Sequence, residues 1–172
     1  MIEKSTIQRV LEVFFENPSK KLHLRELSRI SKLSMPTIVS ATDSLAREKL
    51  IIKTKGKVVT EVVANRENVI FMRHKLLYNL EKIYNSGIIE HISNAYNYPK
   101  NIILFGSYSR GEDIESSDID IAITTNKRLA LNLEKYEKIL KRKINIHETD
   151  LGKVSNEFKA NLANGIVLEG SW

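Results

Sequence analysis

In Asp118-Ile119-Asp120-Ile121-Ala122-Ile123-Thr124 apolar residues recur at every second position. Only an extended strand sorts such a run into one apolar and one acidic face. Ile119, Ile121 and Ile123 then point one way, and Asp118 and Asp120 the other. The flanking pattern is α/β. Pro99 opens the region, Asn101–Phe105 reads as a buried strand, and Gly106-Ser107-Tyr108-Ser109-Arg110-Gly111 begins a short helix. Residues 126–143 read as a helix, 144–147 as a third strand, and helix resumes from about Lys153.

Those residue types carry a definite chemistry. Side chains at i and i+2 of a strand lie about 7 Å apart, close enough for Asp118 and Asp120 to share divalent cations. Magnesium takes hard oxygen ligands and keeps water and substrate phosphates in its shell. Two such ions about 4 Å apart align an attacking oxygen with a leaving pyrophosphate. Upstream, a strand delivers Gly106-Ser107 to a helix start, where free N–H groups and the dipole favour phosphate. Glycine lets a triphosphate approach the backbone, and the Ser107 hydroxyl can donate to it. Arg110 is placed to pair with the triphosphate or with a local carboxylate such as Glu112.

Gly106-Ser107, ten residues, then Asp118-Ile119-Asp120 resembles the signature of the DNA polymerase β-like nucleotidyltransferases, and most of all their minimal, single-domain members. Gly106–Gly111 is similar to their Gly-Ser-x-x-Arg-Gly, and Ser117–Asp120 to their Ser-Asp-x-Asp strand. The resemblance covers residues 99–172. It implies a small mixed sheet flanked by helices. It further implies nucleotide binding by Gly106, Ser107 and Arg110, magnesium on Asp118 and Asp120 (two ions in an active enzyme), and an NTP, with ATP expected, as substrate. NMP would pass to an acceptor hydroxyl with release of pyrophosphate. The family uses a third carboxylate on a later strand, and the matching position here is Asn145, which has a carbonyl oxygen but no charge. His147 shares the face of Asn145, Glu148 has the opposite parity, and Asp150 lies past the strand end. Catalytic roles thus fall to Asp118, Asp120 and Asn145.

The first 65 residues follow another pattern. Ile7, Val10, Leu11 and Phe14 keep helical spacing behind a Ser5 cap, and Asn17-Pro18 ends that helix. A second helix places Leu24, Leu27 and Ile30 together. A third starts at Ser34 with Pro36 in its first turn and buries Ile38, Ala41 or Thr42, and Leu45. Two apolar runs then flank Lys55-Gly56-Lys57, which reads as a hairpin. The order resembles the winged helix-turn-helix regulators of MarR/ArsR type. DNA contact would fall to Arg25, Arg29, Lys32, Thr37, Ser40, Arg47, Lys53, Lys55 and Lys57, the basic ones suited to phosphates. Asp43 on the exposed face of the third helix speaks for protein binding or dimerisation instead.

Charge fits this division. Residues 1–65 hold 12 Lys/Arg against 7 Asp/Glu, residues 66–98 hold 4 against 3, and residues 99–172 hold 11 of each. The positive excess therefore lies where a polyanion would be met, although a solvated face looks the same. The absence of cysteine excludes disulfides and thiolate metal sites. No apolar run approaches 18 residues, and the N-terminus has no signal-peptide pattern, so a cytoplasmic protein off the membrane is expected.

The expected fold class is α+β with two domains. A winged helix-turn-helix at 1–65 leads through a helical connector at 66–98, a candidate dimer seam, to a nucleotidyltransferase domain at 99–172. Three functions compete: a transferase acting on a macromolecular acceptor, a DNA-binding regulator whose nucleotidyltransferase-like domain only senses nucleotide, and an assembly module. Among acceptors, the resemblance points to HEPN-type toxin partners, as for antitoxin-like minimal nucleotidyltransferases.

Overall fold

The computed structural model describes residues 4–150 and 152–171. Among them lie seven α-helices and two sheets, in two compact units, Met1–Lys75 and Leu76–Trp172.

In the first unit α1 (Thr6–Glu16) starts with a capping box. The Gln8 N–H donates to Ser5 Oγ at 3.3 Å and the Ser5 N–H to Gln8 Oε1 at 2.9 Å. It buries Val10, Leu11 and Phe14 as the pattern predicts, but Ile7 is 44% exposed. The short strand β1 (Leu22–His23) precedes α2 (Leu24–Ser31). Ile30 does not join Leu27 in the core. Two steps of three residues turn a helix back by about 120° from Leu24, whereas Ser31, seven residues on, returns to within about 20° and is buried. Helix α3 (Met35–Arg47) is capped by Ser34 and buries both Ala41 and Thr42. Strands β2 (Ile51–Lys55) and β3 (Thr60–Ala64) form an antiparallel hairpin, and β1 pairs with β3 to complete a three-stranded sheet. Val58 and Val59, expected in the second strand, lie in the turn. The Gly56 N–H donates to the Val59 carbonyl at 2.9 Å, which leaves Val58 fully outside the ladder.

The boundary between the units falls inside α4 (Val69–Ser86). Gly87, at φ +77°, breaks the helical run where Ser86-Gly87 predicts a break, and α5 (Ile88–Tyr96) follows. The second unit then builds a four-stranded mixed sheet in the order β6-β5-β4-β7. Strand β4 (Asn101–Phe105) runs antiparallel to both β5 (Ile119–Thr124) and β7 (Ile166–Gly170), while β6 (Ile144–Thr149) is parallel to β5. Helix α6 (Glu134–Leu140) makes the β5-to-β6 crossover, and α7 (Asn156–Ala163) links β6 to β7.

The two sheet faces differ. Ile119, Ile121 and Ile123 join Ile83, Ile88, Ile92, Tyr136 and Leu140 in the larger core, with α5 and α6. Full burial of each such side chain contributes about 1.5–3 kcal/mol. A one-residue slip of β5 would expose all three isoleucines and bury carboxylates, so the register is tightly fixed. The opposite face carries a smaller cluster of Ile103, Phe105, Ala122 and Leu162 beside Phe158. Asp118 and Asp120 belong to this second face.

The helix predicted over 126–143 shrinks to Glu134–Leu140. Its N-terminal half is held instead as a strap on β6. Arg128 Nη1 donates to the Glu148 carbonyl at 2.8 Å, and the Leu129 N–H donates to Glu148 Oε1. At the other end of β6 the Ile144 N–H donates to Glu137 Oε1 at 3.1 Å. Both contacts sit on the outer edge of an edge strand.

Candidate functional site

The acidic face of β5 gathers the motif residues by strand register. Phe105, the last residue of β4, pairs with Asp120, so Gly106 leaves the sheet directly beside that carboxylate. Gly106 has φ +75°, and a Cβ built on it would lie 2.8 Å from Asp120 Oδ2. Both the backbone conformation and the close approach therefore require glycine. Gly106→Ala is expected to push the Asp120 carboxylate aside and lower any activity of this site by about 100-fold, the order of cost of a misplaced reacting group. Steady-state assay beside a thermal melt would separate that loss from unfolding.

The turn that follows is rigidly built. The Ser107 carbonyl accepts the N–H groups of Arg110 at 3.1 Å and Glu112 at 3.0 Å, and Ser109 Oγ donates to the Gly106 carbonyl at 2.8 Å. The expected helix is a single 3-10 turn, Tyr108–Arg110, closed by Gly111 at φ +71°. Three residues make no aligned helix dipole, so attraction of phosphate here rests on local donors. The half-buried Ser107 hydroxyl is one of them, with no partner among the described residues.

Parallel pairing of β5 and β6 sets Asn145 beside Asp120 and His147 beside Ala122. The Asn145 amide nitrogen donates to Asp118 Oδ2 at 3.2 Å and to Asp120 Oδ1 at 3.1 Å. One amide thus bridges the two carboxylates and supplies partial positive charge between them. His147 Nε2 stands 3.4 Å from Asp120 Oδ1, its ring edge-on to Phe105 at 5.1 Å and 6.1 Å from Phe158. No group of three or more His, Asp or Glu side chains among the described residues is arranged to hold a metal ion. The donors present are two carboxylates and, with the amide turned over, a carbonyl oxygen. All are hard oxygens, and they fit one magnesium ion whose remaining ligands are water and phosphate.

Other acidic and basic candidates are engaged elsewhere. Arg110 Nε donates to Glu112 Oε2 at 2.7 Å, the local alternative open to it in the sequence. Glu148 lies on the other face, as its parity requires, accepting from the Tyr96 hydroxyl at 2.6 Å. Burial opposes ionisation of Glu148. The bonds from Tyr96, Leu129 and Arg128 outweigh it and hold the carboxyl below its ordinary range. Tyr96 is pushed up by burial and by that neighbouring carboxylate. Asp150 stands past the end of β6, held below its ordinary range by the Gly152 N–H and Lys153.

Sequence reasoning missed Asn79 and Asp113. The buried Asn79 amide donates to the Tyr108 carbonyl at 3.0 Å and to Asp113 Oδ1 at 2.8 Å. The available signal was a pair of polar residues, Lys75 and Asn79, one turn apart within the stripe that also holds Leu76, Leu80 and Ile83.

In the first unit, Arg25, Arg29, Lys32, Lys55 and Lys57 are exposed, as is Ser40. Lys53 is not free. Its ammonium lies 2.8 Å from Asp43 Oδ1 and 3.0 Å from Thr42 Oγ1, with its side chain only 10% exposed. The bond and charge from Lys53 hold the Asp43 carboxyl below its ordinary range. Arg47 donates to Ser44 Oγ at 3.0 Å, and the Thr37 and Ser34 hydroxyls share a bond of 2.7 Å. Met35, Pro36, Val39, Ser40, Asp43 and Arg47 line a shallow groove along α3.

Residues 88–171 match the family model described as Polymerase beta, Nucleotidyltransferase. The matched segment begins at α5 and includes the whole four-stranded sheet. Comparison with curated proteins gave no match, and neither did comparison with solved structures. Among the described residues no helix is long and apolar enough to cross a membrane.

Proposed function

We propose that the second unit, carrying a polymerase β-type nucleotidyltransferase domain, binds a magnesium–NTP complex and transfers NMP to a hydroxyl of a macromolecular acceptor. The observation that carries this reading is the convergence of Gly106, Ser107, Asp118, Asp120 and Asn145 at one end of strands β4, β5 and β6, with the Gly106 turn against the Asp120 carboxylate. Asp118 and Asp120 would hold the ion. Magnesium supplies charge neutralisation of the triphosphate and polarisation of its phosphorus. Gly106 leaves room for phosphate beside the backbone, and the Ser107 hydroxyl donates to a phosphate oxygen. In the transfer, the acceptor oxygen bonds to the α-phosphorus, the α–β phosphoanhydride breaks, and pyrophosphate leaves while the acceptor proton passes to solvent.

Labelled ATP, magnesium and candidate acceptor proteins, HEPN-type toxins among them, test this. Label is expected on the acceptor with wild type and not with Asp118→Ala. Equal labelling by both, or none by either, overturns it. A second reading, nucleotide sensing without turnover, is favoured by Asn145, whose amide has no proton-accepting power. Nucleotide binding with no transfer to any acceptor is its expected signature.

The first unit, with the element order helix, strand, helix, helix and hairpin, supports a winged helix docking on DNA phosphates. The cations free to do so are Arg25, Arg29, Lys32, Lys55 and Lys57. Lys57→Ala is expected to weaken binding evenly across sequences and reduce the salt slope by about 1, whereas Lys53→Met acts through the uncoupled Asp43. Anisotropy titrations at several salt concentrations read the slope. Absent or salt-insensitive binding overturns the DNA reading.

A further inference from the structure

We infer that Asn79 is a positioning residue for the phosphate turn, acting on Gly106–Gly111 from α4 without touching the nucleotide. The inference rests on the reading that this turn receives the NTP phosphates. Between β4 and β5 the chain runs through thirteen residues, 106–118, with the phosphate donors at one end and Asp118 at the other. Such a connection needs an anchor if its two ends are to keep their spacing.

Bonds within the connection and to the adjoining strand hold its first and last stretches. At the start, Ser107 and Gly106 accept from Arg110, Glu112 and Ser109. At the end, the Ile114 N–H donates to Ser117 Oγ at 2.9 Å and the Ile119 N–H to the Lys143 carbonyl at 2.8 Å. A further hold comes from α4. Asn79 is 2% exposed, and Asp113, its carboxylate acceptor, is 1% exposed. Both hydrogens of the Asn79 amide are used, one on the Tyr108 carbonyl and one on Asp113 Oδ1. A carboxamide is the neutral side chain that offers two N–H donors from one planar nitrogen, and here each meets a different point of the same connection. Arg142 lies 4.0 Å from Asp113 Oδ2, on the other side of that carboxylate.

The Tyr108 contact matters most for the phosphates. Tyr108 is the residue after Ser107 and the first of the 3-10 turn, so holding its carbonyl fixes the Tyr108–Ser109 peptide and with it the turn that directly follows the Ser107 hydroxyl. Asp113 serves as the second anchor, five residues on. Changing the amide to a carboxylate of the same shape removes both donors and sets one anion against another.

The experiment measures the affinity of the full chain for a non-hydrolysable magnesium–ATP analogue by calorimetry, with thermal melts alongside. Asn79→Asp is expected to weaken binding at least about tenfold, the effect of one buried hydrogen bond. The exchange Asn79→Asp with Asp113→Asn restores an amide–carboxylate bond in the reverse sense but takes the Asn79 donor from the Tyr108 carbonyl, leaving it only the 3.4 Å bond from the Gly111 N–H. That double variant is expected to melt above the single variant and still bind the analogue at least about tenfold more weakly than wild type. It also keeps the test open where the single variant does not fold. Wild-type affinity in either folded variant overturns the inference while leaving the proposed function standing. A wild-type chain that binds no analogue overturns both.

Discussion

Asp120→Asn is expected to abolish magnesium-dependent nucleotide binding and transfer while leaving the fold intact. The substitution keeps the shape and removes only the charge. Asp120 is the hub of the site: its Oδ1 accepts from Asn145 and faces His147, and its Oδ2 lies against Gly106. A hard divalent ion gains far more from a carboxylate than from a neutral amide, so a loss of at least about 1,000-fold in transfer is expected, comparable to removing a principal electrostatic group. Removing one of two neighbouring anions relieves repulsion, so without divalent ions the melting temperature should hold or rise slightly. Calorimetry with magnesium–nucleotide and a thermal melt read both effects. Wild-type nucleotide affinity in Asp120→Asn would show that the motif serves another purpose.

Asn145→Asp is expected to move activity and stability in opposite directions. The amide now bridges Asp118 and Asp120 with its nitrogen. Replacing it with a carboxylate sets three anions within hydrogen-bonding distance and removes the bridge. Without divalent ions the second unit should lose stability, at about 4–8 °C in melting temperature for each kcal/mol. Millimolar magnesium or manganese should restore it, because the third carboxylate binds the ion that neutralises it. With acceptor present, transfer should rise by about 100-fold, the lower range of a gained proton acceptor. A variant no less stable without ions than wild type would show that the bridge carries little, and an unchanged rate would place the limit on turnover elsewhere.

How much of this was legible in the sequence follows from the range of the interactions involved. The alternation in 118–124 predicts which face each residue takes, and Ile119, Ile121 and Ile123 are buried together as it requires. Helix starts at Ser5 and Ser34 and the break at Gly87 are likewise local, set by caps and backbone angles within a few residues. The mixed α+β class stands, and residues 88–171 match a nucleotidyltransferase family model where the motif predicts one. Features that depend on distant partners were not legible. Residues 126–133 have helical composition but are held off the helix by bonds to Glu148, twenty residues away. Lys53 looks like a free wing cation until the fold brings Asp43 to it. Asn79 has no visible role until α4 lies against a connection about thirty residues downstream.

The caps on β6 have a consequence for the molecule in a crowded solution. An edge strand such as β6 leaves the site beside it open to substrate, but a bare edge also offers its ladder of N–H and C=O groups to any other strand. Here Glu137 occupies the Ile144 donor and Arg128 the Glu148 acceptor, at the two ends of the outer edge. An incoming strand would have to displace both before it could pair along the full length. Strand β6 can therefore flank the acidic face of β5 uncovered without becoming a template for aggregation.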